Sequence, residues 1–438
     1  MNATETRFRA VNTGWGFRMT RFRVLLLGIL GLTAGIVAYR LIVGLGGPTN
    51  LTDEWPWALW TWWKLTGVAL AGAGYSTMLI VHFVGRDSWK DIERGAFLTS
   101  LLGYLMVCAA LLLDLGQWYN AWRPIFNWGY HSVMFELYWC IGGYTVVQLV
   151  EFLYIFEERV HVPRSMRWTL KKIYGPVLIV GALLPIFHQS ALCSLYVIAK
   201  GRLDPLWWSM LLPLFAVLTS FFIGPSVVTV ENHVTARVYG RRLNMPVLGE
   251  MVHASAFVMM AYLVLRLGDY WARGMLPELV SGSPLGTLAL FELAAFVALP
   301  MLLFLNHRVR ATSSGLLWAS GLAIAGVALN RFNIVIVGMM ESTGAGWYVP
   351  HWMEVVFVLG LAAFVALAYL FIVENFPILP LPEDPTSSGR PQASGTGERG
   401  ETRGYLERRG AAAARERVPR EPATPPAARP QAPVSANR

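Results

Sequence analysis

The chain has 438 residues, of which 55% are hydrophobic and 14% are charged, and its mean hydropathy is +0.46. This composition excludes an ordinary water-soluble globular protein, in which about 25% of residues are charged. The formal net charge of +9 does not indicate a nucleic-acid partner, because 10 of the 36 Lys and Arg residues lie in the last 62 positions and most others lie in short segments between apolar runs. The sequence therefore predicts an all-α integral membrane protein.

Apolar runs long enough to cross a bilayer as helices, which takes about 20 residues each, recur about ten times along the chain. They are predicted at residues 23–45, 57–84, 95–117, 132–156, 173–199, 207–230, 247–268, 284–305, 312–338 and 352–376. The first run follows an arginine-bearing leader but lacks a small-residue cleavage motif, so it is expected to remain as an anchor. The expected domains are a basic N-terminal tail at 1–22, a transmembrane domain at 23–377 and a C-terminal tail at 378–438.

The C-terminal tail differs in composition from the rest of the chain. From about Pro380 it is a mixture of Pro, Ala, Arg, Gly and Glu without hydrophobic periodicity. Such a segment cannot bury enough apolar surface to order itself, which predicts disorder. Binding to anionic lipid or to a partner is the alternative.

Lys and Arg are distributed unevenly between the two sides of the predicted membrane domain. Counted with the flanking Arg23 and Arg266, the N-terminal tail and the even-numbered loops carry 18 of them, whereas the odd-numbered loops carry five. The positive-inside rule therefore predicts that both termini are cytoplasmic. The other side is rich in tryptophan, which predicts an interfacial aromatic belt, with a docking surface for a partner as the alternative. These tryptophans are Trp55, Trp57, Trp118, Trp122, Trp128, Trp207, Trp208, Trp271, Trp347 and Trp352.

No motif of the sequence predicts a prosthetic group held by this chain. The three cysteines lie inside apolar runs without the spacing of a metal site or a disulfide framework. His82, His188 and His253 lie in predicted spans, but their depths do not pair as facing ligands of a haem. Neither a haem nor a metal site is therefore expected.

Ionisable side chains inside the apolar runs are the candidates for function, because a charge in hydrocarbon is costly. An outer set resembles a site that binds a polar head group and exchanges protons, and an inner set resembles a proton path. Ion pairs that hold the bundle together are the alternative. The outer set is Arg40, Lys64, Asp114, Glu136, Glu292 and Arg331, with His188 somewhat deeper, and the inner set is Glu151, Glu231, Glu250 and His253.

His188 belongs to a polar quartet, Phe187-His188-Gln189-Ser190, inside an otherwise apolar run. A quinone or carbonyl oxygen could accept a hydrogen bond from its ring. A core histidine whose ring nitrogens bond within the protein is the alternative.

Several stretches resemble the HybB/NrfD family of membrane subunits. They occur in order and cover most of residues 22–380. The stretches are Asn50–Trp57, Leu101–Tyr104, Asp114–Gly116, Phe135–Leu137, Leu184–Ser190, Pro205–Trp207, Asn330–Asn333 and Phe376–Leu379.

The resemblance implies a haem-free subunit of a bacterial cytoplasmic membrane, built from two four-helix bundles and here two additional helices. It implies that menaquinone or ubiquinone binds near the outer face and exchanges electrons with a ferredoxin-like iron–sulfur partner subunit. The sequence resembles the HybB branch most, which implies the large and small subunits of a periplasmic [NiFe]-hydrogenase as further partners, with the NiFe centre and the iron–sulfur clusters held in those partners. Other branches serve polysulfide, nitrite or molybdopterin enzymes. The long basic tail departs from the family pattern.

The resemblance also implies roles for particular residues. Glu136, Glu151 and Glu231 match acidic positions of proton transfer in the hydrogenase branch, with Tyr104 and Arg94 at neighbouring positions. Asp114, His188 and Arg331 are added from their depth and motif context. The predicted quinone site consists of Tyr104, Asp114, Glu136, His188 and Arg331, without a metal ligand.

A secondary transporter or ion channel is the rival interpretation, because it also places charged groups within the membrane. An inverted repeat would favour a transporter. The similarity between Phe135-Glu136-Leu137 and Phe291-Glu292-Leu293 is only weak evidence for such a repeat. Those two runs are predicted to have opposite directions, and no matched pair of broken helices accompanies them. A structural anchor without a quinone site is a third interpretation.

Overall fold

The computed structural model describes residues 10–12, 14–57, 59–83, 87–160, 162–340, 344 and 346–380. Within these residues, ten helices are long and apolar enough to cross a membrane, so the predicted all-α, multi-pass membrane fold is confirmed. The helices are α1 (Arg21–Val43), α2 (Leu59–Val81), α3 (Lys90–Asp114), α4 (Val133–Arg159), α5 (Arg164–Ile198), α6 (Leu212–Tyr239), α7 (Met245–Ala272), α8 (Pro284–Leu305), α9 (Ser313–Met339) and α10 (Trp352–Asn375).

Each predicted run corresponds to one of these helices, and the largest differences, of nine residues each, are at the start of α5 and the end of α6. Helix α5 begins at Arg164 rather than at residue 173, because its first turns are basic and do not register as an apolar run. With 35 residues it is about 52 Å long. It therefore extends well beyond a hydrocarbon core of about 30 Å.

The helices pack as two four-helix bundles with two additional helices. Helices α2 to α5 form the first bundle and α6 to α9 form the second, while α1 packs on α10 and α10 packs on α3 and α2. The bundles meet where α2 and α3 contact α6, and α5 also packs on α6. The predicted two-bundle arrangement therefore agrees with the helix contacts.

Small residues bring α2 and α6 into close contact at the seam between the bundles. A Cβ added to Gly72 would lie 2.8 Å from the backbone oxygen of Ser220. A Cβ added to Gly224 would lie 3.2 Å from the Cα of Ala73 and against the side chain of Ser76. Packing of this kind lets membrane helices approach backbone to backbone.

The two ends of the helix assembly differ in character. The basic end is where α1 begins and α10 ends, and Gly16 and Asn375 exchange two hydrogen bonds of 2.9 Å there. Arg23 and Glu374, both buried, form an ion pair of 2.5 Å beside them. The tryptophan-rich end is the opposite one. The described chain ends therefore meet at one end of the assembly.

The predicted C-terminal tail lies almost wholly outside the described residues, as does most of the first half of the N-terminal tail. The described chain continues past residue 377, since Ile378 and Leu379 are 1% and 6% exposed and pack beside Phe376. Packed structure therefore reaches at least to Leu379.

Helices α4 and α8 run in the same direction, and the expectation that they run in opposite directions was wrong. Leu137 near the start of α4 lies by the same cavity as Lys64 near the start of α2. Glu292 in the first half of α8 contacts Asn330, two residues from Ala328, which contacts Trp62 near the start of α2. The two similar Phe-Glu-Leu segments, in α4 and α8, are therefore not related by an inverted repeat.

Three helices contain irregular turns in the described part of the chain. Helix α2 is interrupted at Ala71 and ends in a π segment at Leu79–Phe83, α8 contains a π segment at Ala294–Ala298, and α9 is interrupted at Ile336 before a 3-10 turn at Val337–Met339. They are the first helix of one bundle and the third and fourth helices of the other. They do not form the matched pair of broken helices that is typical of transporters.

Candidate functional site

A cavity of about 280 Å³ lies within the first bundle, at the tryptophan-rich end. It is at the lower edge of the range of small-molecule sites, about 300–1,000 Å³. Most of its lining is apolar, which suits a ring system more than an ion. The lining residues are Leu45, Leu51, Pro56, Trp57, Thr61, Lys64, Leu65, Val107, Leu111, Asp114, Leu115, Met134, Leu137, His188, Leu192, Leu195 and Tyr196.

An ion pair between Lys64 and Asp114 supplies charge to the cavity wall. Lys64 lies near the start of α2, and Asp114 is the last residue of α3, where the helix dipole disfavours a carboxylate. Two cations offset that cost, since Arg40 also donates to the backbone oxygens of Leu113, at 2.6 Å, and Leu115. The acid is therefore held at the end of α3 by residues of α1 and α2.

His188 supplies the other polar group of the cavity. Its side chain is fully buried, and its Nδ1 lies 3.3 Å from the hydroxyl oxygen of Tyr104. Its Nε2 has no hydrogen-bond partner among the described residues. A buried ring nitrogen without a partner is costly, so a ligand with an oxygen in the cavity would gain a hydrogen bond there.

The rest of the polar quartet serves packing. Gln189 donates from Nε2 to the backbone oxygen of Val68 at 2.8 Å, which fixes α5 against α2. Phe187 is exposed on the outer side of α5. Within the quartet, His188 therefore lies at the cavity and Gln189 positions the helix.

A chain of polar side chains leads from His188 towards the basic end. The ring of Tyr104 packs edge-on against Tyr144, with 4.4 Å between ring centroids. Gln148 donates from Nε2 to the hydroxyl of Tyr144 at 3.2 Å and to Ser100 Oγ at 2.8 Å. Tyr144 and Gln148 lie four residues apart on α4 and share a face of that helix with Glu151.

Glu151 is buried at the far end of this chain. Neither of its carboxylate oxygens has a hydrogen-bond partner among the described residues, and neither has Gln148 Oε1. The carboxylate faces Gly181 of α5, where an added Cβ would lie 2.8 Å from Oε1. The absent side chain at Gly181 therefore leaves the space that the carboxylate occupies.

Glu231 lies away from the cavity, at the basic end of α6. Its Oε1 accepts a hydrogen bond of 2.6 Å from the hydroxyl of Tyr369 in α10, and it faces Gly95 of α3. A pocket of about 10 Å³ beside it, room for about one water molecule, is lined in part by Arg241. Burial lowers the pKa of Arg241, which lies in the loop after α6.

The structure does not place Glu136 or Arg331 at the cavity. Glu136 is exposed at the start of α4, although its neighbour Leu137 lines the cavity. Arg331 lies in the second bundle, where it donates to Asn330 Oδ1 at 2.7 Å and to Thr219 Oγ1 at 2.6 Å. Of the predicted quinone site, the structure brings together Tyr104, Asp114 and His188.

Arg331 belongs to a separate buried network around Glu292. The carboxylate of Glu292 accepts hydrogen bonds from Asn330 at 2.7 Å, from Asn333 at 2.6 Å and from the indole of Trp207 at 3.2 Å. This network links α8 and α9 to the loop before α6. Its partners are all within the protein, which is typical of a structural element.

Arg94, predicted as a neighbour of the proton-transfer residues, lies at the basic end of α3. It donates to both carboxylate oxygens of Glu158 at 2.7 and 2.8 Å and to the backbone oxygen of Pro377 at 2.7 Å. It therefore ties the end of α4 and the segment after α10 to the start of α3.

The site also contains Tyr144, Gln148 and Ser100, which were not predicted from the sequence. For Tyr144 and Gln148 the sequence did contain an indication. Together with Glu151 they have the four- and three-residue spacing of one helix face. Lys64 was recognised as an outer charge but was not assigned to the quinone site. Its partner at the end of α3 was not visible from the spacing of either residue.

The residues around the cavity do not fit a haem held by two histidines. Among the described lining residues, His188 is the single histidine. Both ring nitrogens of His233, in the second bundle, already lie close to protein oxygens, at 2.7 Å from Thr229 and 3.0 Å from Ser313. The side chain of His82 lies outside the described part. In that part, no group of three His, Cys, Asp or Glu side chains is placed to hold a metal ion.

Comparisons with known proteins agree with this architecture. Residues 48–344 match the family described as "Polysulphide reductase, NrfD". A protein of Nitratidesulfovibrio vulgaris (strain Hildenborough) named only "Protein" is 31% identical over 80% of this chain and 92% of its own length. The "Probable Ni/Fe-hydrogenase 2 b-type cytochrome subunit" of Escherichia coli K12 is 29% identical over 79% and 89%. The "Menaquinone reductase, integral membrane subunit" of N. vulgaris is 25% identical over 78% and 88%. The chain, with its two membrane-spanning bundles, belongs to the NrfD family of polysulphide reductase.

Proposed function

We propose that the chain is the quinone-binding membrane subunit of a respiratory oxidoreductase, which passes electrons from an iron–sulfur partner subunit to menaquinone or ubiquinone. The observation that supports this most directly is the apolar cavity with His188 Nε2 unpartnered at its wall and the Lys64–Asp114 ion pair beside it. The name of the N. vulgaris relative as a menaquinone reductase subunit gives independent support.

The cavity suits the chemistry of quinone reduction, in which the head group takes up two electrons and two protons. The flat apolar head group packs against the aliphatic lining, and His188 Nε2 donates a hydrogen bond to one carbonyl oxygen. The ammonium of Lys64 stabilises negative charge that develops on the ring as electrons arrive. Asp114 keeps that ammonium at the cavity wall.

Protons for the reduced head group are proposed to arrive along α4. The polar chain of Tyr104, Tyr144 and Gln148 runs from His188 towards the buried carboxyl of Glu151, which follows Gln148 by three residues on the same face of α4. Glu231 is proposed to exchange protons at the basic end, and Glu136 at the tryptophan-rich end. On this scheme Glu151 is the reservoir nearest the cavity on the inner side.

The electron donor is proposed to be a ferredoxin-like subunit that docks at the tryptophan-rich end, where the cavity lies. The relative from E. coli is named as a subunit of a Ni/Fe-hydrogenase, which favours a [NiFe]-hydrogenase as the source of electrons. A molybdopterin or multihaem enzyme is the alternative source. The excess of Lys and Arg at the basic end supports an orientation in a bacterial inner membrane with both termini cytoplasmic.

The test is kinetic and uses the complex purified with this chain from its native membrane. We expect His188→Leu to lower quinone turnover by about a hundredfold or more, the range of lost acid–base or hydrogen-bond catalysis, while dye-linked activity of the partner is retained. His307→Leu is the control, because His307 is exposed between α8 and α9, does not line the cavity and belongs to neither set of candidate residues. Equal quinone turnover in the two variants would contradict the proposal that His188 belongs to the quinone site.

The composition of the same complex tests the partner. Mass spectrometry with metal and quinone analysis should find iron–sulfur and nickel subunits together with bound quinone. A molybdopterin or multihaem subunit instead would keep the quinone chemistry and replace the donor. A chain that purifies alone would favour a transporter.

A further inference from the structure

The loop between α3 and α4, residues 115–132, exposes an unusual amount of aromatic surface. Phe126 is 71% exposed, Tyr130 is 76% exposed and Trp128 is 56% exposed. Trp118, Tyr119 and Trp122 in the same loop are also exposed. Exposed aromatic surface concentrated in one loop is unfavourable in water, so it indicates a contact that the chain makes with something else.

These aromatic side chains are held in place by contacts within the loop and with the start of α4. The indole of Trp128 donates to the backbone oxygen of Ile125 at 3.1 Å, and that of Trp139 donates to the oxygen of Pro124 at 3.3 Å. Trp128 and Trp139 also pack against each other, with 5.6 Å between centroids. The aromatic side chains are therefore fixed in position on the surface of the loop.

The start of the loop and the first turn of α4 form part of the rim of the cavity. Leu115 and Met134 both line it, and they are 38% and 57% exposed. The volume of about 280 Å³ suffices for a quinone head group but not for a long isoprenoid tail as well. A bound quinone must therefore extend its tail through an opening. Among the exposed lining residues, Leu115 and Met134 lie at the ends of the membrane-spanning helices α3 and α4, whereas Pro56 lies in the loop before α2.

We propose that the loop 115–132 lies in the lipid headgroup layer and that the isoprenoid tail of a bound quinone passes beneath it, between Leu115 and Met134, into the acyl chains. The route of the tail rests on the proposed quinone function. The position of the loop in the lipid does not.

The chemistry of the loop favours lipid over water or a soluble partner. Trp and Tyr, with an apolar ring and a polar tip, concentrate at membrane interfaces. The loop contains no Asp or Glu, and its basic side chains are Arg123 and His131, which suits anionic head groups. Its exposed surface continues onto Leu112 of α3 and Trp139 of α4, both on membrane-spanning helices.

The first experiment locates the loop. A nitroxide is attached at Phe126→Cys in the full chain, with the three native cysteines replaced by alanine, in lipid nanodiscs. Gly201→Cys is the control, because Gly201 is exposed between Lys200 and Arg202 and an added Cβ there meets no atom within 4 Å. We expect the Phe126 label to collide with lipid-soluble oxygen, whereas the Gly201 label collides with a water-soluble nickel chelate.

A Phe126 label as accessible to the nickel chelate as the Gly201 label would overturn the proposal. So would a label in the purified complex that is protected from both reagents, because the aromatic surface would then be covered by a partner subunit.

The second experiment tests the route of the tail in the purified complex. Met134→Trp fills the opening and should raise the KM for menaquinone with a four-unit tail by about tenfold, equivalent to ~1.4 kcal/mol, with little change for menadione, which has no tail. Met210→Trp is the matched control, because Met210 is 67% exposed at the same end and does not line the cavity.

The outcomes separate the two proposals. Equal effects of Met134→Trp on the tailed and tailless quinones, or no effect on either, would exclude this route while leaving the quinone site intact. Failure of the unmodified complex to reduce any quinone would remove the proposed function, and the tail route with it. The nitroxide result would still decide where the loop lies.

Discussion

Glu151 in α4 and Gly181 in α5 face each other so closely that a Cβ on the glycine would lie 2.8 Å from the carboxylate. The carboxylate oxygens have no other partner among the described residues. The position of this buried acid therefore depends on the absence of a side chain on the neighbouring helix.

A methyl group at Gly181 should displace Glu151 from the polar chain. We expect Gly181→Ala to lower quinone turnover by about tenfold to a hundredfold, since a misplacement of about 1 Å can cost that much. Gly175→Ala in the same helix is the control, because a Cβ there meets no atom within 4 Å. Steady-state turnover of the two purified complexes checks this, and equal rates would remove Glu151 from the proton route.

Gln148 is the link between Tyr144 and Ser100, so its loss should interrupt the same route. We expect Gln148→Leu to lower quinone turnover by about tenfold and to raise the solvent deuterium isotope effect, as proton delivery becomes limiting. Thr145→Val is the control, because the Thr145 hydroxyl donates to the backbone oxygen of Ile141 instead. A Gln148 variant with an unchanged isotope effect would show that protons reach the cavity by another path.

Glu136 is exposed at the start of α4, next to a residue that lines the cavity. If it exchanges protons at the tryptophan-rich end, Glu136→Gln should abolish quinone turnover while leaving dye-linked activity of the partner subunits. Measurement of both activities on one preparation checks this. Unchanged quinone turnover would exclude Glu136 from proton transfer.

The Glu292 network should serve stability rather than quinone chemistry. Glu292→Leu leaves the donors of Asn330, Asn333 and Trp207 unsatisfied, at about 1–3 kcal/mol each. We expect a lower Tm in detergent for Glu292→Leu and for Arg331→Met, with the quinone KM of the surviving folded protein unchanged. A selective rise of KM in Arg331→Met would instead restore Arg331 to the quinone site.

The buried pair of Arg23 and Glu374 fastens α1 to α10 at the basic end. Glu374→Leu should destabilise the chain by about 3–5 kcal/mol, because it leaves the Arg23 charge buried and unpaired. The double variant with Arg23→Met should recover part of that loss. Arg167→Met is the control, since the Arg167–Glu157 pair is partly exposed and should be worth about 0–1 kcal/mol. Thermal unfolding measures the stability of each variant. Equal stability of Glu374→Leu and of the double variant would contradict the prediction that an unpaired Arg23 charge causes the loss.

The positions of the helices were predictable because a bilayer requires long apolar runs with internally satisfied backbone groups. Depth was also predictable, and the structure places Asp114 and His188 at one cavity. Glu136 and Arg331 do not line that cavity, because depth does not specify which face of a helix a residue occupies. Glu136 and Leu137 are adjacent in sequence and equal in depth, yet only the leucine faces the cavity.

Arg331 shows a second limit. Its depth matches that of the cavity, but it belongs to the other bundle, and the assignment of helices to bundles depends on contacts between distant segments. The partners of Lys64 and Glu292 could not be predicted for the same reason, because they lie on distant segments of the chain. By contrast, the shared face of Tyr144, Gln148 and Glu151 is local to one helix and could have been found from its spacing.

The glycine seam between α2 and α6 restricts how the two bundles can move. Alternating access in a transporter requires one repeat to rock against the other. Here backbone meets backbone at Gly72 and Gly224, so rotation of either bundle would drive atoms into contact. The seam therefore favours a rigid scaffold, one that would keep an electron acceptor at a constant distance from its donor through every turnover.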